Sequence, residues 1–140
     1  MSRFRWNPGP GLDFINAIKS ALPELDIIAE DLGFLTEDVR RLLAASGFPG
    51  MKVLQFAFDP GEESVYLPHK YGRKGVVYTG THDNTTTRDW VKTAPAADVR
   101  FAKEYMGAES DEALAPALIR AALSSACDMA VIPMADWLGL

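Results

Sequence analysis

Four short apolar runs constrain the fold of this chain more than any other feature. They cover residues 26–30, 51–58, 76–80 and 129–134. The first run is too short for a helix and lacks alternation, which is typical of a parallel strand covered on both faces. Helical patterns separate the runs, and a regular strand–helix order favours a parallel sheet with right-handed crossovers. The sequence therefore predicts an α/β fold with four parallel strands.

Residues that begin and end helices fill the intervals between these runs. Asp13 is predicted to cap a first helix that stops at Pro23. Thr36 is predicted to cap a second helix that ends at Gly47. Later helices are predicted over residues 86–92, over residues 96–106 and from Pro116 onward. Residues 59–75 carry many Pro and Gly residues with little periodicity, so they predict a long loop, a kind of segment that is often functional.

The length of the chain limits how complete this architecture can be. The 140 residues are enough for one domain, which we predict to span residues 1–140. A closed (β/α)8 barrel typically needs about 250 residues. The chain is about half that long, and four parallel strands with an uncovered final strand form an incomplete architecture.

Composition argues against several classes of protein. Hydrophobic residues make up 48% of the chain, as in ordinary globular domains, and the net charge of −5 with no basic run disfavours nucleic acid as a partner. The single Cys127 cannot form an internal disulfide, and no Cys/His cluster indicates zinc. No stretch resembles a secretory leader or a membrane span. We expect a soluble, cytoplasmic protein that does not bind membranes.

Two acidic residues, Glu30 and Asp83, stand where predicted strands end. The carboxyl ends of parallel strands form the active face of α/β enzymes, so this position suits chemistry better than stability. Against Ile27, Ile28 and Ala29, desolvation would disfavour the ionised form of Glu30, as a proton donor requires. The alternative is that Glu30 caps a helix or pairs with a Lys or Arg, and the residues alone leave both interpretations open.

The run His82, Asp83 and Asn84 places three hydrogen-bonding side chains after a strand and after Gly80. Glycine permits close approach of a ligand to the backbone, so one interpretation is a substrate-binding clamp. A second interpretation is an Asx-type turn and helix cap leading into Thr85 and the residues after it. A third, metal ligation by His82 and Asp83, lacks a further ligand at helical spacing.

Several motifs together resemble the 4-α-glucanotransferase family, the amylomaltases and plant disproportionating enzymes that are relatives of the α-amylases. The motifs are Pro8–Gly11, Ile27–Gly33, Gly47–Phe58 and Tyr78–Thr86. They occur in the order and at the spacing of the family, and the resemblance covers essentially the whole chain. Several motifs in register are far more specific than any one of them.

The resemblance implies a TIM-type (β/α)8 barrel of which this chain is the second half, strands five to eight. It implies cleavage of an α-1,4 bond, transfer of the glucan to an aspartate, and passage to the 4-hydroxyl of an acceptor sugar, with no metal or cofactor. Glu30 matches the catalytic acid/base, and Asp83 matches the catalytic carboxylate that steadies the oxocarbenium-like transition state. His82 and Asn84 are predicted to bind substrate, a maltooligosaccharide or a starch-type glucan.

The sequence also departs from the family pattern. The nucleophilic aspartate and a nearby arginine of the family match no residue of this chain, although retaining glycosidases need nucleophile and acid about 5–5.5 Å apart. Ala135 stands where the family usually has Gln. We therefore expect the isolated chain to be inactive. One alternative is a non-catalytic half-barrel that self-assembles into homo-oligomers through unpaired edges. Another, less favoured, is a metal-dependent hydrolase using Glu30, His82 and Asp83.

Overall fold

A computed structural model describes residues 7–140 of the chain. The predicted absence of a secretory leader rests partly on residues 1–6, which lie outside the described residues. The chain divides into two compact units, Met1–Pro49 and Gly50–Leu140. Each unit has its own secondary structure. No helix among residues 7–140 is both long enough and apolar enough to cross a membrane.

The first unit contains two helices, α1 (Leu12–Ala21) and α2 (Glu37–Ser46). The predicted ends of α2 are confirmed, because the Thr36 side chain accepts a hydrogen bond from the Val39 N–H and Gly47 is left-handed with φ 75°.

The predicted cap of α1 is wrong, because Asp13 lies in its first turn and Gly11 occupies the cap position. The Asp13 N–H bonds to the Pro10 carbonyl at 3.2 Å, so the chain is already turning before Asp13.

Residues 26–30 do not form the predicted first strand within the described structure. A strand needs a ladder of backbone hydrogen bonds, but this segment makes one to the later part of its unit, from the Ala29 N–H to the Pro49 carbonyl at 2.9 Å. Its apolar character is not matched by burial, since Ile28 is 40% exposed.

The second unit is built on a three-stranded parallel sheet. The strands are β1 (Gly50–Val53), β2 (Gly75–Tyr78) and β3 (Met129–Val131), in the order β1-β2-β3. The prediction of parallel strands is thus confirmed for three of the four runs, and the predicted helices join β2 to β3. The strand predicted over residues 51–58 is shorter than expected, because the chain enters a 3-10 turn at Leu54–Phe56.

The segment between β1 and β2 is the predicted long loop. Apart from the 3-10 turn Pro68–Lys70, residues 59–74 form neither helix nor strand, so the prediction is confirmed.

Four helices complete the second unit: α3 (Thr87–Thr93), α4 (Ala96–Met106), α5 (Asp111–Leu123) and α6 (Met134–Leu138). The predicted start of α5 at Pro116 is wrong. The helix begins five residues earlier because Ser110 caps it by accepting a hydrogen bond from the Ala113 N–H. Pro116 lies on an exposed face inside the helix, where its missing N–H leaves the Glu112 carbonyl without its usual helical partner.

The core of the second unit lies between the sheet, α4 and α5. Phe58 is 1% exposed and stands at its centre, with the Trp90, Phe101 and Tyr105 rings at centroid distances of 6.0–6.2 Å. These separations and tilts are those that aromatic pairs favour. The other large, fully buried apolar side chains are Val53, Leu54, Val76, Val77, Leu114 and Leu118.

Tyr71 connects the long loop to this core. Its ring is 7% exposed, and its hydroxyl donates to the Tyr66 carbonyl at 2.5 Å. Burial raises the pKa of the Tyr71 phenol well above its usual range, with smaller contributions from Cys127, Tyr105 and Tyr66. The neutral phenol is therefore the form that fits the folded chain.

We predict that Tyr71 makes the second unit sensitive to alkali. Above pH about 10 an unfolded chain ionises this phenol and the folded chain does not, so the free energy of unfolding falls by up to about 1.4 kcal/mol per pH unit. Tyr71→Phe should flatten this slope in urea denaturation between pH 9 and 11. Tyr78→Phe, which removes a more exposed phenol whose pKa burial also raises, should flatten it less. Equal slopes in the wild type and Tyr71→Phe would contradict the prediction.

Candidate active site

Parallel pairing brings the carboxyl ends of all three strands to one edge of the sheet. Val53 pairs with Tyr78 and Tyr78 with Val131, so the three strands end in register. The residues that follow them share this edge, where ligands bind in open α/β sheets. At the edge lies the loop Thr79–Thr87, which contains three of the four predicted site residues.

The loop is folded into the predicted Asx-type turn. The Asn84 side-chain oxygen accepts from the Thr81 N–H at 2.9 Å and from the Thr81 hydroxyl at 2.8 Å, and the Asn84 N–H donates to the Thr81 carbonyl at 3.1 Å. Thr86 caps α3 by accepting from the Asp89 N–H. The predicted turn and helix cap are therefore both present. Because the turn uses the side-chain oxygen of Asn84, the side-chain amide nitrogen is the group that could bind a substrate.

His82 and Asp83 form the tip of the loop. Their side chains are 89% and 79% exposed, and the His82 Nε2 lies 3.3 Å from the Asp83 Oδ1. The Asp83 N–H donates to the Thr81 hydroxyl at 3.3 Å. The structure thus presents an imidazole and a carboxylate side by side to solvent, an arrangement that can both donate to and accept from sugar hydroxyls.

Gln55, which the sequence did not single out as functional, lies behind the loop. Its side chain is buried, and its Nε2 donates to the Thr85 carbonyl at 2.9 Å. Its backbone N–H donates to the Thr79 carbonyl at 3.3 Å. Gly80 was predicted to admit a ligand, but it is the Gln55 amide that approaches: a Cβ at position 80 would lie 2.8 Å from the Gln55 Nε2. Glycine is needed here for that contact.

Asp136 supports the loop from the other side. It is 4% exposed, its Oδ2 accepts from the Thr79 hydroxyl at 2.5 Å, and its Oδ1 accepts from the Thr87 N–H at 2.7 Å. The signal in the sequence was an acid after a strand, the pattern that drew attention to Asp83. The sequence does not show that Asp136, which lies in α6, binds Thr79 and Thr87, because these residues are far from it along the chain.

Glu30 belongs to the first unit and lies on the coil after α1. Its side chain is exposed, so the desolvation expected from a buried strand end does not occur within this unit. The alternatives of a helix cap or an ion pair are not observed among the described residues either. The neighbouring Asp31 is buried, at 8% exposure. Glu30 is thus a solvent-accessible carboxyl group.

The described part of the chain does not bring together three His, Cys, Asp or Glu side chains as possible metal ligands. Of the three residues in the metal-hydrolase hypothesis, His82 and Asp83 lie in contact in the described structure.

Comparison with known proteins identifies the relatives of this chain. A family model described as 4-alpha-glucanotransferase matches residues 2–140. The plastid 4-alpha-glucanotransferase of Solanum tuberosum is 46% identical over 136 residues, which are 97% of this chain and 24% of that protein. The enzyme of Thermus thermophilus is 41% identical over 143 residues, covering 97% of this chain and 29% of that protein. The chain thus spans about a quarter of the length of these curated relatives.

A solved structure agrees with these matches. The amylomaltase from Streptococcus agalactiae, determined in complex with acarbose, superimposes with a TM-score of 0.86 at 34% sequence identity. The match covers 96% of this chain and 27% of that chain. Because the family model matches almost every residue and the fold agrees, this chain belongs to the 4-alpha-glucanotransferase family.

Proposed function

We propose that this chain is the acid/base-bearing half of the catalytic barrel of a 4-α-glucanotransferase, comprising strands five to eight of a TIM-type barrel. The enzyme transfers α-1,4-glucan segments from maltooligosaccharides or starch-type glucans to the 4-hydroxyl of an acceptor sugar. The observation that carries this proposal is the exposed His82–Asp83 tip at the carboxyl edge of a parallel sheet, in a chain of this family. That edge is where barrel enzymes place their catalytic residues.

Glu30 is the general acid/base in this proposal. A solvent-accessible carboxyl group can reach a substrate, protonate the leaving 4-oxygen and later deprotonate the acceptor hydroxyl. Bound glucan excludes water from the surroundings of this carboxyl group.

Asp83, His82 and Asn84 act on the sugar at the cleavage site. The Asp83 carboxylate accepts hydrogen bonds from the sugar hydroxyls next to the reacting carbon. It binds the oxocarbenium-like transition state more tightly than the ground state. His82 and the Asn84 amide nitrogen contact the same sugar. The nucleophilic aspartate comes from the larger protein, of which the relatives suggest that this chain is about a quarter.

We predict that a polypeptide of these 140 residues alone does not disproportionate maltotriose, because the nucleophilic aspartate of the family matches no residue of this chain. Glucose release, measured with a coupled hexokinase assay, should stay at the level of the buffer control. Circular dichroism establishes that the polypeptide is folded during the assay. Glucose release above the control would refute the missing-nucleophile hypothesis.

We predict that the same residues become catalytic when the rest of a barrel is supplied. The high structural similarity permits a chimera in which this chain replaces the matching 27% of the S. agalactiae amylomaltase. In that chimera, Glu30→Gln and Asp83→Asn should each lower kcat/KM for maltotriose by about 10²- to 10⁴-fold, the range for lost acid/base or transition-state contacts.

Matched controls separate these roles from a general effect of charge removal. Glu24→Gln and Asp128→Asn remove exposed carboxylates of the first and second unit that the proposal does not use. Both should stay within about threefold of the parent chimera. If Glu30→Gln retains that level of activity, Glu30 is not the acid/base.

Self-association is a second candidate for the isolated chain, favoured by the edge of β3. Within the described residues β3 pairs with β2 alone, and its Met129 and Val131 are 51% and 40% exposed. An apolar strand with a free edge is a template for pairing with another chain. Light scattering at micromolar concentration should then show a dimer or a larger assembly. Val131→Lys should restore the monomer, and a wild-type monomer would exclude this candidate.

The cellular compartment of the proposed enzyme stays a prediction. The potato relative is named as chloroplastic or amyloplastic, so the family is not confined to the cytoplasm.

A further inference from the structure

Gln55 and Asp136 each bind both ends of the loop Thr79–Thr87. Gln55 donates to the Thr79 carbonyl through its backbone and to the Thr85 carbonyl through its side chain. Asp136 accepts from the Thr79 hydroxyl with one oxygen and from the Thr87 N–H with the other. We propose that these two residues are positioning residues, which hold the loop closed so that His82 and Asp83 point at the bound sugar. The catalytic part of this proposal rests on the proposed function.

The tip of the loop cannot orient itself without this support. The side chains of His82 and Asp83 contact each other and are otherwise mostly in solvent. The turn between Thr81 and Asn84 fixes the local shape of the tip, but its hydrogen bonds lie within the loop. The direction in which the tip points therefore depends on what holds the two ends of the loop.

The burial of Asp136 indicates a positional role. A buried carboxylate without a cation is costly, and here its bonds come from a hydroxyl and a backbone N–H. An apolar side chain at position 136 would avoid that cost. The carboxylate has two oxygens at a fixed separation, so one residue ties Thr79 at the end of β2 to Thr87 at the start of α3.

The contact of Gln55 with Gly80 supports the same conclusion. The absence of a side chain at position 80 lets the Gln55 amide lie against the loop backbone and reach the Thr85 carbonyl. Gln55 follows β1, whereas Asp136 follows β3. The loop after the central strand is thus supported from both neighbouring strands, and a displacement of about 1 Å at its tip is enough to lower catalysis about 10²-fold.

Hydrogen exchange measured on the full 140-residue chain tests whether these residues hold the loop. Gln55→Met and Asp136→Ala should each raise amide exchange in residues 79–87 about tenfold or more, with exchange in α4 unchanged. Asp136→Asn should restore much of the protection, since its amide can still accept from the Thr87 N–H and donate to the Thr79 hydroxyl. Asp128→Ala, an exposed aspartate at the start of β3, is the matched control and should behave as wild type.

Acarbose binding by the chimera tests whether holding the loop serves the sugar site. Positioning predicts that Gln55→Met and Asp136→Ala weaken the acarbose Kd about tenfold at unchanged stoichiometry, and lower kcat for maltotriose more than they change KM. A merely structural role predicts the reverse, a lower stoichiometry in calorimetry with an unchanged Kd. That result, or loop exchange equal to the Asp128→Ala control, would overturn the proposal.

Two further outcomes separate this inference from the proposed function. If the parent chimera neither transfers glucan nor binds acarbose, the proposed function fails, and loop exchange alone supports or overturns the positioning of the tip. If Asp136→Ala does not fold, Gln55→Met decides, because it removes the donor to Thr85 while nearly keeping the side-chain volume.

Discussion

The parallel pairing of three short strands is the constraint on which the second unit depends. Because β1, β2 and β3 run in the same direction and end in register, every connection must cross the sheet and return to its start. The helices α4 and α5 lie in the connection between β2 and β3, and they bury the apolar residues of the sheet. The same geometry collects the residues after each strand at one edge, so folding the core also assembles the candidate site.

The polar groups at that edge are held by hydrogen bonds that an apolar core could not provide. Gln55, Thr79, Thr87 and Asp136 are all buried, although each carries a side chain whose burial costs free energy. The Thr87 hydroxyl is buried without a hydrogen-bond partner among the described residues, which adds a cost of about 1–3 kcal/mol. A fold selected for stability alone would replace these groups, and their presence beside an exposed His82–Asp83 pair fits a loop held for function.

The two candidate carboxylates illustrate different ways of presenting an acid. Asp83 stands on a loop whose ends are fixed by buried side chains, so its environment is built within the second unit. Glu30 stands on a coil segment with little backbone support within the first unit. In the proposed enzyme the glucan and the remaining barrel complete the surroundings of Glu30.

Much of the fold followed from local patterns in the sequence. Thr36 and Gly47 mark the ends of α2 by side-chain and backbone preferences that need no tertiary context, and the parallel strands followed from short apolar runs between helices. Local rules failed where two signals competed. Pro116 is a good first residue of a helix, but the Ser110 cap starts α5 earlier. Residues 26–30 have the composition of a strand but form no backbone ladder within the described part of their unit.

By itself, the sequence determined the α/β class of fold, the family and the choice of Glu30, His82 and Asp83 as candidate residues, because each depends on short motifs read along the chain. Only the tertiary structure decided that Gln55 and Asp136 hold the loop, since hydrogen bonds between residues 30 to 57 positions apart leave no local pattern. The physical reason is burial, because most polar side chains that are removed from water find hydrogen-bond partners within the fold, and these partners are distant in the sequence.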